Sequence, residues 1–439
     1  MSAATIGILM FVIMIGMVLV GVPVIFSMFT TSILGIVWIA GPSMLLSQLV
    51  NGPFTMSADF SFAIMPMFTM LGIIAEQTGI ATGAYTSMRT IFSRRRGSLL
   101  YTTVAANAVF GACSGVGEAG SIIFSKIALP ELEGRGYDRK LSLGCVAVSG
   151  GLACLIPPSV PICQTAILAG YSIGTSLMCG LAVGLLTILV LFVVIKVISI
   201  VQPGKVPPVT EADRQISVKE KLASMKLLLP ILVLFMIIIG GTFFGWFHAT
   251  IAGAIGAVII TIYALVKRLP AKKIFGAAWE SAVVYGGIFM MIVAGTLFSR
   301  MITISGLTDL LVQGATHAKL SGLAMTFMVA FVYLLLGCVM DIFAVVIITV
   351  PVIFPILVQG FGVDPYMLII MITLVSGLGA LTPPIGIAAF TVSNVTRIPA
   401  KEIFQGLTPF FLAELLVVVL IILFPQLCTW LPNVLGLLS

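Results

Sequence analysis

The chain has 439 residues, of which 60% are hydrophobic and only 8% are charged. Soluble globular domains carry about 25% charged residues, so the composition excludes a protein with a mostly water-facing surface. The formal net charge is +7, but the basic residues lie in short segments between long apolar stretches. Positive charge in such segments marks the cytoplasmic loops of a membrane protein, so we expect no nucleic acid as a partner.

In chain order, the clearest apolar stretches are residues 6–22, 177–200, 227–244, 251–266, 323–338 and 412–424. A helix of about 20 apolar residues crosses a bilayer, and with the less clear stretches we predict roughly ten to thirteen membrane segments. The first stretch has no basic flank and no small-residue cleavage pattern after it, so we expect no cleaved signal peptide. The sequence predicts an all-α polytopic membrane protein in contact with lipid.

Only residues 202–226 resemble a soluble linker. This segment has prolines near its start and five basic residues, which are Lys205, Arg214, Lys219, Lys221 and Lys226. Basic residues favour the cytoplasmic side of a membrane, and the three arginines at 94–96 favour the same side for their own loop. We therefore predict a cytoplasmic linker that separates a first half, residues 1–201, from a second half, residues 227–439.

The two halves share an arrangement of glycine, aspartate and proline. One constant offset in residue number pairs identical residues of the two halves: Gly111 with Gly337, Gly134 with Gly360, Gly136 with Gly362, Asp138 with Asp364, Gly151 with Gly377, and Pro157-Pro158 with Pro383-Pro384. Because glycine is common in this chain, a single match carries no weight. The joint match of both Pro-Pro pairs with both Gly-x-Gly-x-Asp turns, without a gap, predicts an internal repeat.

Each predicted repeat contains two interruptions of an apolar run. The Pro-Pro pairs interrupt helices, because proline lacks an amide donor and clashes with the preceding turn, and we place these breaks at 157–159 and 379–385. Small or polar residues interrupt earlier runs near residue 114 and at 337–341, where we predict the tips of re-entrant helical hairpins. Paired interruptions in two halves are typical of a transporter's binding site. The alternative is ordinary proline kinks and glycines that help helices to pack.

Arg300 and Asp341 are ionisable residues within predicted membrane segments, where such residues are usually functional. The Arg300 guanidinium matches a carboxylate or sulfonate; the alternatives are a helix-end arginine that reaches the membrane surface, or a salt bridge to Asp341 or Asp309. Asp341 has three alternative roles, since it could contact Na⁺, Arg300 or the substrate. The two histidines have no neighbouring carboxylates, which gives little support to a proton relay. Hydrolase and P-loop motifs do not occur in the sequence, so we expect a secondary transporter rather than an enzyme, an ATP-driven pump or a channel.

Several motifs resemble the large membrane subunit of the tripartite ATP-independent periplasmic (TRAP) transporters, the DctM-like family. They are residues 61–79 (SFAIMPMFTMLGIIAEQTG), 110–115 with 155–159, and 337–390, where GCVMD, GVDP, LTPPIG and Phe390 stand in the family's order and spacing. The resemblance covers nearly the whole chain. It implies an elevator-type fold of two inverted repeats, each with a re-entrant hairpin and a Pro-Pro-broken helix, divided into a scaffold and a transport domain.

The resemblance also implies a function and partners. It implies Na⁺-coupled uptake of a small organic anion, a carboxylate or sulfonate, across the bacterial inner membrane. The implied partners are a small four-helix membrane subunit and a periplasmic binding protein that delivers the substrate. The alternative is an H⁺-coupled or stand-alone organic-anion transporter with the same elevator architecture.

Candidate site residues follow from the resemblance and from the charges within the membrane. Each hairpin tip with its facing break resembles a Na⁺ site of the family, which gives the candidate ligands Ser114, Gly115, Pro157, Ser159, Gly337, Gly379 and Thr382. The candidate substrate contacts are Arg300, Ser114, Ser121, Ser159 and Asp341. Many family members continue the first tip as Ser-Gly-Ser followed by alanines, whereas this chain has Val116 and then Glu118. That departure indicates a substrate other than the commonest sugar acids and dicarboxylates.

Overall fold

Helices form nearly the whole of the described chain. The computed structural model describes residues 1–317, 320–383 and 386–437, and these ranges contain no strand. The α-helices are α1 (Ala3–Leu19), α2 (Val24–Ala40), α3 (Pro42–Ala58), α4 (Ile64–Gln77), α5 (Ile80–Phe92), α6 (Ser98–Ser114), α7 (Gly117–Gly134), α8 (Arg139–Gly150), α9 (Val160–Ala169), α10 (Ile173–Val201), α11 (Glu211–Arg214), α12 (Val218–Met225), α13 (Leu229–Phe235), α14 (Gly241–Phe243), α15 (Ala249–Val266), α16 (Ala271–Ser305), α17 (Leu307–His317), α18 (Gly322–Val339), α19 (Ile342–Phe354), α20 (Pro365–Gly379), α21 (Ile387–Thr396), α22 (Ala400–Leu423) and α23 (Gln426–Val434).

Eight helical stretches among the described residues are long and apolar enough to cross a bilayer: Phe60–Gln77, Ile173–Val201, Val218–Phe243, Ala249–Val266, Ala271–Ser305, Gly322–Val339, Ile342–Gly360 and Ala400–Leu423. The predicted all-α polytopic fold is confirmed. The predicted ten to thirteen segments exceed the eight because the prediction counted apolar stretches whatever their helix length. Five further apolar helices are only 10–17 residues long, and at about 1.5 Å per residue the shortest of them cover about half of the hydrocarbon core.

The segment predicted as a linker is irregular only in its first part. It holds a short 3-10 turn (Pro203–Lys205) and α11, and α12 then begins with a capping box in which Ser217 and Glu220 each bind the other's backbone. Helical structure continues from α12 into the membrane-spanning stretch Val218–Phe243. The helical stretch that leads into this candidate membrane span therefore begins inside the predicted linker, at position 218. The favourable N-terminal cap decides where that helix begins.

Basic residues of the first half hold this linker in place. Arg96 donates hydrogen bonds to the carbonyls of Pro203 (2.9 Å) and Val206 (3.1 Å), and Arg135 forms an ion pair with Asp213. The basic run at 94–96 and the linker thus lie on the same face of the protein. Both were predicted to be cytoplasmic, and their contact is consistent with a single side for both.

The offset that pairs Gly111 with Gly337 also relates the folded elements of the two halves. Asp138 caps α8 by accepting the Leu141 amide at 2.9 Å, and Asp364 caps α20 by accepting the Met367 amide at 2.7 Å. The glycine two positions before each aspartate has a positive φ, of 80° and 67° respectively, which glycine adopts at little cost. Each Gly-x-Gly-x-Asp motif is therefore a turn followed by a capped helix.

Close glycine contacts repeat with the same offset. A Cβ built on Gly111 in α6 would lie 2.8 Å from the Cα of Ala153, and one on Gly337 in α18 would lie 3.1 Å from the Cα of Gly379. In both halves the helix before a hairpin tip therefore packs, backbone against backbone, on the chain that leads into a break. Nearly every residue of α6, α8 and α20 is buried, so these elements lie in the core of the protein.

Candidate substrate and ion site

The first hairpin tip joins α6 to α7 and touches the first helix break. α6 ends at Ser114, and Gly115 follows with φ +62°. The Gly115 carbonyl accepts the amide of Val160 at 3.2 Å, and a Cβ on Gly115 would overlap the Pro158 carbonyl oxygen. The tip predicted near residue 114 and the break predicted at 157–159 are thus in direct backbone contact.

Ser159 ends the first break and starts α9. Its Oγ accepts the Ile162 amide at 3.3 Å and donates to the Cys154 carbonyl at 2.5 Å. The preceding Pro157-Pro158 bond is cis, and both prolines are buried. The break therefore brings backbone carbonyls and one hydroxyl to the first tip.

Ser114 at the first tip has a buried hydroxyl oxygen without a hydrogen-bond partner among the described residues. The residue is only 2% exposed. An unpaired buried hydroxyl costs about 1–3 kcal/mol. Ser114 also lies at the carboxyl end of α6, where the helix dipole favours a positive charge. These features suit a bound cation.

The second hairpin tip joins α18 to α19 and repeats the arrangement. Asp341 caps α19, and its Oδ2 accepts the Phe343 amide at 3.0 Å. The carbonyl of Cys338 accepts the Gly386 amide at 3.3 Å. Its donor corresponds to the donor of the first bond, because the offset between the halves pairs Val160 with Gly386, whereas its acceptor lies three positions earlier than the position paired with Gly115. Each tip is thus tied by a backbone hydrogen bond to the start of the helix after a break.

Thr382 lies in the second break, against the second tip. Its Oγ1 is 2.8 Å from the carbonyls of both Leu378 and Gly379 and 3.4 Å from the Cys338 Sγ. The structure therefore brings Gly337, Gly379 and Thr382 close together, as the family resemblance implies. Pro384 and Ile385, which belong to the predicted break at 379–385, lie outside the described residues.

Both tips border one cavity. Its described lining comes from the two tips and from the residues beside both breaks: Val116, Gly117, Glu118, Ser121, Ala147, Gly151, Cys154, Pro161, Asp341, Ile342, Phe343, Gly377, Ala380, Leu381, Ile387 and Ala388. The two halves interlock around it, since α7 packs against α21 and α19 packs against α9. Ligand pockets for small organic molecules have mostly apolar walls with a few polar groups, and the lining of this cavity has that character.

The predicted substrate contacts divide into three groups. Ser121 and Asp341 line the cavity, while Ser114 and Ser159, at the first tip and break, are not part of its described lining. Arg300 is elsewhere: it is exposed near the carboxyl end of α16, in a groove that also includes Asp59 and residues 167 and 168 of α9. The structure therefore does not bring Arg300 to the cavity between the tips, and no ion pair to Asp341 or Asp309 occurs in the described structure.

Sequence reasoning did not assign a role to Glu118, which lines the cavity together with Asp341. The sequence contains a signal for this position, because Glu118 departs from the family's common pattern at the first tip. The apolar members of the lining, such as Phe343 and Leu381, carried no comparable signal. Nothing in an apolar stretch distinguishes a residue that faces a cavity from one that faces lipid.

The comparison with protein families decides the identity of the chain. The family described as "Tripartite ATP-independent periplasmic transporter, DctM component" matches residues 11–427. The chain belongs to the DctM family. This permease is thus a multi-pass protein of the bacterial inner membrane, and it takes up its substrate together with a small membrane subunit and a periplasmic binding protein.

Known relatives of this DctM-family permease carry different substrates. The ectoine TRAP transporter large permease TeaC of Halomonas elongata is 28% identical over 95% of this chain and 97% of its own length. The C4-dicarboxylate TRAP transporter large permease DctM of Pseudomonas aeruginosa is 28% identical over 88% of this chain and 89% of its own length. The solved structure of the Alcanivorax borkumensis YdaH transporter is similar with a TM-score of 0.57 at 13% identity, covering 90% of this chain and 89% of that one. At that identity it shows the fold alone.

Proposed function

We propose that this permease takes up a small organic acid, a carboxylate or sulfonate, in symport with Na⁺. The observation that carries the proposal is that two hairpin tips meet two broken helices around one cavity. Broken helices at membrane depth present free backbone groups to ions and substrates. The substrate reaches the permease from the periplasmic binding protein, and the partner in the membrane is a small four-helix subunit.

The same arrangement supports an elevator-type mechanism. Residues 1–201 and 227–439 form two inverted repeats, joined by the cytoplasmic linker 202–226. The helix caps and the glycine contacts that recur at one constant offset support the repeat. The tips, the breaks and the cavity belong to the moving transport domain, and other helices form the scaffold.

The Na⁺ ions bind between each tip and its break. The first site uses Ser114, Gly115, Pro157 and Ser159, and the second uses Gly337, Gly379 and Thr382. Hard cations prefer oxygen ligands such as carbonyls and hydroxyls, which are what these residues present. The unpaired Ser114 hydroxyl at a helix carboxyl end is the strongest support for the first site.

We expect uptake into proteoliposomes to require an inward Na⁺ gradient. Ser114→Ala removes one cation ligand, so it should raise the Na⁺ concentration for half-maximal uptake about tenfold, since a hydrogen-bond or ligand partner of a charged group contributes about 1.5–3 kcal/mol. Thr382→Ala should act in the same direction. The measurement is initial uptake against Na⁺ concentration with the complete transporter.

Thr187→Ala is the matched control for these two variants. Thr187 is also buried, but it lies on α10 and only donates to the Val183 carbonyl at 2.8 Å. Its removal should leave the Na⁺ dependence unchanged. Full uptake in Na⁺-free buffer at constant membrane potential would overturn Na⁺ coupling, and a pH gradient that drives uptake on its own would favour the H⁺-coupled alternative.

Arg300 remains the proposed partner for the acid group of the substrate. Its groove is separate from the cavity between the tips, so such a contact belongs to a different step of the transport cycle. Arg300→Ala should lower uptake per assembled complex at least about tenfold, and Arg300→Lys should also lower it, because lysine lacks the planar fork of donors. Arg214→Lys, at an exposed position of α11, is the control. Near wild-type uptake by Arg300→Ala would remove this assignment.

A further inference from the structure

Two carboxyl groups share the cavity between the tips without a basic partner. Glu118 and Asp341 both line it, and no described lining residue is Lys, Arg or His. Neither residue forms an ion pair within the described part of the chain. The sequence confirms the lack of basic residues near the second tip and break, because none occurs between Asp341 and Arg397. A positive charge beside these two acidic groups in a mostly apolar cavity is favourable.

The two carboxyl groups come from different hairpins and are differently fixed. Asp341 is held by the Phe343 amide at the start of α19, whereas Glu118 is the second residue of α7 and has an exposed side chain. The first turns of α7 border the cavity, since Gly117, Glu118 and Ser121 all line it.

We propose that the substrate carries a cationic nitrogen, an ammonium, amidinium or quaternary ammonium group, which binds between Glu118 and Asp341. Together with its acid group, the substrate is then a zwitterion. The inference rests on the proposed function, because it takes the cavity between the tips as the substrate site. Glu118 is the residue that departs from the common pattern of the first tip, so it sets this specificity.

A bound Na⁺ fits this cavity less well than an organic cation. Na⁺ needs several oxygen ligands, and among the described lining residues only Glu118, Ser121 and Asp341 carry side-chain oxygens. The candidate Na⁺ ligands at the tips and breaks lie outside the lining. Apolar walls contact the carbon atoms of an organic ligand favourably, and the lining includes the aromatic ring of Phe343, a favourable neighbour for an organic cation.

The test uses the complete transporter in proteoliposomes. These are exposed to an equimolar mixture of small organic acids, half with a cationic nitrogen and half without one, under an inward Na⁺ gradient. Accumulated compounds are identified by mass spectrometry, and uptake of the best one is then measured for the variants. The binding protein also selects compounds, so only a difference between permease variants assigns selectivity to the permease.

We expect the wild type to accumulate acids with a cationic nitrogen. Glu118→Gln keeps the size of the side chain but loses the charge, so it should raise the KM for such a compound at least about tenfold and leave the Na⁺ concentration for half-maximal uptake unchanged. Glu118→Asp should retain part of the affinity. Glu76→Gln is the control, because Glu76 is exposed on α4 and does not line the cavity.

Three results would overturn the inference: accumulation only of acids without a cationic nitrogen, unchanged uptake by Glu118→Gln, or a shifted Na⁺ dependence in that variant, which would make Glu118 an ion ligand. A different result would show that the proposed Na⁺ coupling, rather than the nitrogen site, is wrong. If the same nitrogen-containing acids accumulate without a Na⁺ gradient and Glu118→Gln still raises the KM, Na⁺ coupling is wrong and the nitrogen site stands.

Discussion

Gly115→Ala is expected to reduce Na⁺-driven uptake at least about tenfold, through two effects at the first tip. The residue has φ +62°, a conformation that costs a non-glycine residue about 1–2 kcal/mol. In addition, the new Cβ would overlap the Pro158 carbonyl oxygen. The tip must then move away from the break, which breaks the hydrogen bond from Val160 and displaces the ligands of the first proposed Na⁺ site.

Gly136→Ala separates these two effects. Gly136 also has a positive φ, 80°, but a Cβ there would meet no atom within 4 Å. This variant should therefore show the cost of the backbone conformation without the clash, as a modest loss of thermal stability with uptake per assembled complex near that of the wild type. Equal uptake by the two variants would show that contact between the first tip and its break is not required for transport.

The family assignment is confirmed, and the short motifs on which it depended act through local chemistry. Asp138 and Asp364 each cap the helix that follows them, as aspartate does at helix N-termini. Gly136 and Gly362, two positions before these aspartates, have a positive φ. Proline interrupts a helix by its own covalent structure.

Contacts between residues that are far apart in the sequence were harder to predict than local turns and helix caps. Arg300 and Asp341 both looked like isolated charges within apolar stretches, yet only Asp341 lines the cavity. The difference comes from the packing of α16 and α19 against other helices, which hydropathy does not record. The same holds for the contact of α7 with α21 across the two halves. That contact brings Glu118 to the cavity that Asp341 also borders.

The beginning of a helix inside the predicted linker has a local cause. Charged residues do not prevent a helix from starting outside the membrane. Ser217 and Glu220 form a capping box, which stabilises the first turn of a helix. The sequence carries this signal as Ser-x-x-Glu.

Gly406→Val is expected to have the largest effect on stability, because α8 and α22 touch through their backbones. A Cβ on Gly406 would overlap the Lys140 carbonyl, and a Cβ on Gly144 would overlap the Gly406 carbonyl. The neighbouring atoms belong to helix backbones and cannot move aside as a side chain does. Overpacking in a core costs about 1–3 kcal/mol, so the thermal unfolding midpoint of the purified protein should fall by about 1–3 °C.

The effect of Gly406→Val should extend to transport, since α8 leads directly into the first break. If α22 is forced away, α8 loses the support that positions Pro157 and Ser159 against the first tip, and uptake per assembled complex should fall as well. Gly276→Ala in α16 is the control, because a Cβ there would meet no atom within 4 Å and alanine is the better helix former. A Gly406→Val protein as stable as this control would show that α8 and α22 are farther apart in the membrane than the backbone contact requires.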